Sequence, residues 1–243
     1  EASIKVVAGP EKKSRVVTDA EKRLTAYHEA GHAITGYFCK THDPVHQISI
    51  IPRGSAGGFT MYLPEKDPSY VTKTAMNENI VCLLGGRVAE QLVLDDISTG
   101  ASNDLQRATD TARAMVTRYG FSERMGPVVD GTDPGETFLG RDFGQGKGYS
   151  ENTASEIDNE IRDIMDESYE TARRILTEHM TELHRVAGVL MEREKISGEE
   201  FDALMKGENL APFGLDTPAP AAAPASAEQP AAPEQPSEPS DEN

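Results

Sequence analysis

The chain has 243 residues, of which 37% are hydrophobic and none is Trp, and its formal net charge is −17. Charge of that sign excludes general binding to nucleic acid or to anionic membrane surfaces. No apolar run approaches the roughly 18 residues of a membrane span, and the two cysteines, Cys39 and Cys82, sit at apolar helical positions and read as buried, reduced thiols.

Residues 1–17, with Gly9-Pro10 and the basic cluster Lys12, Lys13 and Arg15, read as a linker. A folded domain is expected over 18–210 and a disordered tail over 211–243. From Thr217 to Asn243 there is no Leu, Ile, Val or aromatic residue, so that stretch cannot bury enough surface to offset its ordering entropy. Within the domain the first predicted helix covers about 19–39. Thr18 and Glu21 form a capping box at its start, and Leu24, Tyr27, Gly31, Ile34 and Phe38 recur at helical spacing. Two short strands follow, His46–Ile51 and Gly57–Leu63, punctuated by Pro52-Arg53-Gly54 and Gly57-Gly58. They read as a hairpin with a long loop, whose edge can receive an extended peptide by backbone hydrogen bonds.

A second helix is predicted over 69–94. Its Gly85-Gly86 pair costs helix propensity and so signals close packing against another backbone. A third helix ends near Tyr119, with Ser102 as its expected N-cap and Asp104 in its first turn, where the helix dipole favours a carboxylate. The glycine-rich stretch 126–149 reads as an irregular loop. It is no phosphate-binding loop, since Gly148 follows Gly146-Lys147 and Arg141 stands in the place of the first glycine. A fourth helix is predicted over 151–183, then a shorter one through Met191. A last helix is capped by Ser197 and Glu200 and closed by Gly207. The fold class expected is mainly α, with a small β element beside the first helix.

That first helix carries His28-Glu29-Ala30-Gly31-His32. Histidines four apart lie about 40° apart around a helix, so both imidazoles leave one face, as two ligands of a tetrahedral zinc must. Glu29, displaced by about 100°, reaches past the ion to a water at its open position. Zinc with a carboxylate base is the chemistry of metal-assisted peptide hydrolysis. A catalytic site needs a third protein ligand. The pattern H-E-x-x-H-x-x-G-x-x-H fails here, with Thr35 and Phe38 in the last two places. Glu78, Glu90, Asp95, Asp96, Asp104, His42 and His46 remain, and spacing does not choose among them.

His28–His32, the run Ile48 to Gly54, Gly85-Gly86-Arg87-Val88-Ala89-Glu90 and Ser98 to Leu105 together resemble the peptidase domain of the FtsH family, membrane-anchored ATP-dependent zinc metalloproteases. The resemblance covers about residues 1–205. It implies His28, His32 and Asp104 as ligands of one Zn2+ per chain, Glu29 as catalytic base, and Glu90 as a support for a ligand histidine. It also implies unfolded or membrane-extracted polypeptide substrates, a homo-hexamer, and a place at the cytoplasmic face of a membrane. In such a protein, transmembrane segments and an ATPase module precede the peptidase. This chain has no P-loop, so ATP and membrane attachment are expected only of those preceding parts, and the chain reads as an isolated peptidase domain. Two rivals stand beside this reading: another zinc class with Glu90 as third ligand, and a closed structural metal site. A structural site has no use for Glu29.

Overall fold

The computed structural model describes residues 17–54, 56–64, 69–94, 96–129 and 149–210, all within the unit Glu1–Leu210. The expected linker except its last residue, most of the glycine-rich loop and the expected tail lie outside the described residues. The described chain runs α1 (Asp19–Phe38), β1 (Val45–Ser49), β2 (Phe59–Tyr62), α2 (Lys73–Leu94), a 3-10 turn (Thr99–Ala101), α3 (Ser102–Thr117), α4 (Glu151–Glu178), α5 (Met180–Arg193), β3 (Lys195–Ser197) and α6 (Gly198–Met205). The mainly helical class with a small β element is what the sequence led us to expect.

The capping box starts α1. Thr18 Oγ1 accepts from the Glu21 amide at 3.2 Å, and Glu21 Oε2 accepts from the Thr18 amide at 2.9 Å. Every residue from Ala26 to Gly36 is then buried. A helix covered on all sides is the centre of a fold rather than an amphipathic element on its surface. Its closest neighbour is α2, reached through glycines. A Cβ on Gly85 would stand 2.6 Å from the Gly31 carbonyl oxygen, and one on Gly86 would stand 2.6 Å from both His28 Cε1 and His32 Nε2. The close backbone packing expected of Gly85-Gly86 is therefore against α1. On its other sides α1 packs through Ala30 and Ile34 into a core with Leu176, Leu183, Leu190, Ile48 and Phe201. A second core joins α2, α3 and α4 through Ile80, Leu84, Ala112, Met115 and Ile157.

The strands form one antiparallel sheet in the order β2-β1-β3, with Ile48 opposite both Thr60 and Ile196. The hairpin is present, and β2 is an edge strand of the sheet. β3 was not foreseen. Its three residues lie between α5, which Glu194 closes in the left-handed conformation at φ +63°, and the capping box of α6, so only the cap left a sequence signal.

Several boundaries differ from expectation, and three of them have a visible cause. The helix predicted over 151–183 breaks at His179, whose backbone leaves the helical region (φ −115°, ψ 33°) and whose ring stacks on Phe38 at 3.8 Å. Leu176 and Leu183 are seven residues apart, about two turns, so the apolar stripe stays in phase across the break and periodicity cannot detect it. α2 begins at Lys73, with the Thr72 hydroxyl accepting from the Ala75 amide at 3.2 Å, which leaves Val71 exposed before it. Ser102 is the first helical residue of α3 rather than its cap, because the 3-10 turn precedes it.

The glycine crossing predicts opposite effects for one substitution. Gly85→Ala forces a methyl between two backbones and is expected to destabilise the fold by about 1–3 kcal/mol, as overpacking does. Gly188→Ala on α5, where nothing lies within 4 Å, is expected to stabilise it by about 0.5–1 kcal/mol through helix propensity. Thermal unfolding of the two variants checks this; equal midpoints would contradict the crossing.

Candidate metal centre

Three elements meet at one face of α1. His28 and His32 leave α1 one turn apart, with Nε2 atoms 3.0 Å apart. Asp104 enters from the first turn of α3, and its Oδ2 lies 3.4 Å from His28 Nε2 and 3.5 Å from His32 Nε2. Among the described residues this is the one group of His, Cys, Asp or Glu atoms gathered closely enough to hold a metal ion. Three ligand atoms at 2.0–2.1 Å from a tetrahedral zinc stand about 3.3 Å from one another, so the triangle is of the right size.

The far side of each ring fixes which atom faces the centre. His32 Nδ1 lies 2.8 Å from the Cys82 carbonyl oxygen. A carbonyl only accepts, so Nδ1 carries the proton and Nε2 presents a lone pair. His28 Nδ1 lies 2.7 Å from Glu90 Oε1 and donates to that carboxylate in the same way. Once both imidazoles are neutral, as metal binding requires, two lone pairs and a carboxylate oxygen converge with no donor among them, the electronic signature of a cation site. The donor set of two nitrogens and one oxygen suits zinc.

Glu90 also brings the third group in. Its Oε2 accepts from the Ser98 amide at 2.7 Å and its Oε1 from the Ser98 hydroxyl at 3.1 Å. Arg87 Nη1 donates to the Ser98 carbonyl at 3.2 Å, and Ser98 Oγ accepts from the Gly100 amide at 3.1 Å. That anchored turn leads directly into α3 and Asp104.

Electrostatics agree with the geometry. Burial disfavours charge on His28, yet hydrogen bonds to Asp104 and Glu90 and the charges of Glu29 and Glu90 raise it to about 10. Burial would likewise raise Asp104, but both imidazoles hold it well below the usual carboxylate range. Glu90, also opposed by burial, is lowered by His28 and Ser98. Without a metal the site keeps a proton on an imidazole; with one, the cation takes that place.

Glu29 is buried beside the triad. Burial raises its pKa, against the lowering effect of His28, His32 and the Thr60 hydroxyl, which donates to Oε2 at 2.8 Å. The cleft in front has a volume of about 810 Å³ and is bounded by β2 through Phe59, Thr60 and Tyr62. Of the remaining candidates, those among the described residues are not at the centre. Glu78 accepts from the Thr41 amide and hydroxyl, Asp96 from the Ile97 amide, and His42 Nδ1 lies 3.1 Å from the Asp43 carbonyl; His46 is exposed on β1, and Asp95 lies outside the described residues. Cys39 and Cys82 are free and buried, and burial pushes their thiols up to about 12 and about 11, which keeps them inert. Thr60, Tyr62, Ser98 and the Cys82 carbonyl were missed in the sequence. Only the hydroxyls at alternate positions of β2, sharing one face, offered a signal.

The model for peptidase family M41 matches residues 15–204. The ATP-dependent zinc metalloprotease FtsH 1 of Thermoanaerobacter sp. (strain X514) is 55% identical over 210 residues, 86% of this chain and 34% of the relative. The ATP-dependent zinc metalloprotease FtsH of Caldicellulosiruptor bescii is 56% identical over 205 residues, 84% of this chain and 33% of the relative. That of Photobacterium profundum is 50% identical over 217 residues, 88% and 31% respectively. The chain therefore spans about a third of the length of the curated relatives it matches. The family match opens ahead of α1 and closes within α6, enclosing every element that builds the centre: the chain belongs to peptidase family M41.

Proposed function

We propose that this domain is a zinc metalloendopeptidase in which His28, His32 and Asp104 hold the metal and Glu29 is the general base. The observation that carries this reading is the convergence of three lone-pair donors, the two imidazoles oriented from behind by Glu90 and the Cys82 carbonyl, next to a buried carboxylate that is none of them. When bound, zinc polarises the scissile carbonyl and makes water nucleophilic at neutral pH. Glu29 takes the proton of the attacking water and passes it to the leaving amide nitrogen, a task that its burial-raised pKa suits. Glu90 keeps the His28 ring in the tautomer that turns Nε2 to the metal. The Cys82 carbonyl does the same for His32.

The substrate enters as an added strand. β2 is the sheet edge that borders the cleft, and pairing with it would carry an extended peptide past Glu29 in a fixed register. Only unfolded polypeptide can pair in this way. The family resemblance supports a finer reading: an ATPase module beyond this chain delivers unfolded or membrane-extracted proteins to a hexamer anchored at the cytoplasmic face of a membrane, with subunit contacts on the helices from 151 onward. No described helix is long and apolar enough to cross a membrane.

Casein cleavage with and without a chelator is the first test of the activity, and variants then assign the roles. Glu29→Gln is expected to keep zinc and lose at least about 10²-fold in rate, the lower range of general-base contributions; wild-type turnover would sink the mechanism. Asp104→Ala is expected to lose the metal, whereas Glu90→Ala weakens zinc affinity by about 10–100-fold. Metal analysis giving the reverse order would make Glu90 the ligand. The docking mode is checked with a cleavable peptide whose backbone amides on the flank facing β2 are N-methylated. Its KM should rise at least tenfold, and an unchanged KM would rule out strand addition.

A further inference from the structure

Glu29 is gripped by the sheet as well as carried by its helix. Thr60 and Tyr62 share the face of β2 that looks onto α1, and both hydroxyls reach it. Tyr62 donates to the His32 carbonyl at 2.9 Å. Thr60 Oγ1 lies 2.8 Å from Glu29 Oε2 and 3.1 Å from the Glu29 carbonyl oxygen. A hydroxyl has one proton to give. The carboxylate is nearer and charged, and the carbonyl lies inside α1, where the helix already supplies it a donor. The proton therefore goes to Oε2.

Packing does not call for this hydroxyl. Valine has the same shape and suits a strand equally well. The carboxylate does call for it. Torsion about the last bond of a glutamate is broad and roughly two-fold, so the rotamer alone leaves the two oxygens unordered. Two residues before Thr60, just ahead of β2, the absent side chain of Gly58 leaves room for the other oxygen. A Cβ there would stand 2.9 Å from Glu29 Oε1 and 2.7 Å from the Ser49 carbonyl oxygen. The segment from Gly58 into β2 thus holds Oε2 and clears space for Oε1.

We propose that Thr60 is a positioning residue for the peptidase reaction: its hydroxyl pins Oε2 of Glu29 so that Oε1, over Gly58, is the oxygen left to take the proton from water. This rests on the reading of Glu29 as general base. Because Thr60 acts through the orientation of that carboxylate, removing its hydroxyl should lower kcat and leave substrate binding and metal content alone.

The test is steady-state cleavage of a fluorogenic peptide by the zinc-loaded full chain carrying Thr60→Val, Thr60→Ser or Glu29→Gln, with zinc content and thermal midpoint measured for each. Thr60→Val is expected to lose about 10- to 100-fold in kcat, the effect of one charge-assisted hydrogen bond. KM, zinc content and midpoint should stay at wild-type values. Thr60→Ser, which keeps the donor, should remain within about threefold of wild-type kcat, a rescue expected only if the bond itself matters. Unchanged kcat in Thr60→Val would overturn the proposal. So would a loss that Thr60→Ser shares, or one accompanied by lost zinc or a lowered midpoint, since each marks a structural role. An active Glu29→Gln variant would instead overturn the general-base reading itself, so the two failures are distinguishable.

Discussion

The site depends on two helix backbones meeting without side chains between them. At Gly31 and Gly85 the axes of α1 and α2 come close enough that a methyl on Gly85 would lie 2.6 Å from the opposing carbonyl oxygen. Everything that orients the two histidines is on α2 and within reach only because of that approach. Gly86 leaves the space that both imidazoles occupy, the Cys82 carbonyl meets His32 Nδ1, and Glu90 meets His28 Nδ1. A wider crossing would leave those ring nitrogens unsatisfied inside the protein, a cost of about 1–3 kcal/mol each.

Burying so many ionisable groups is unfavourable unless each has a partner. Here the partners are shared. Glu90, fully buried, binds His28 with one oxygen and the Ser98 amide with the other. One carboxylate therefore both sets a ring and tethers the turn that delivers Asp104. The sheet contributes from the opposite side, with Thr60 on the Glu29 carboxylate and Tyr62 on the His32 carbonyl. α1 is held between a helix that orients its histidines and a strand that orients its glutamate. This division follows from the geometry of the motif itself, since Glu29 lies about 100° around the helix from His28.

What the sequence revealed was mostly local. Capping boxes at Thr18 and Ser197, the spacing of His28 and His32 and the glycine pair at 85–86 all act within a few residues, and each appears where it was read. The choice of Asp104 over Glu78, Glu90 or Asp96 had no local basis and came from resemblance. The partners that orient the site are far apart in sequence: Cys82 lies 50 residues from His32, and Thr60 lies 31 from Glu29. No periodicity announces such pairs. β3 was too short to carry a pattern, and the break at His179 was hidden because the apolar stripe continues in phase on both sides of it.

In the proposed peptidase, the crossing of α1 and α2, with α3 closing over it, makes a zinc centre from two imidazoles and a carboxylate. Zinc K-edge X-ray absorption on the metal-loaded chain tests it most directly. The expected coordination sphere holds nitrogen and oxygen only, at about 2.0–2.2 Å, with the outer-shell scattering of two imidazole rings. A sulfur scatterer at about 2.3 Å would bring Cys82 to the metal, and scattering from fewer or more than two imidazoles would take the site away from His28 and His32; either result would contradict it.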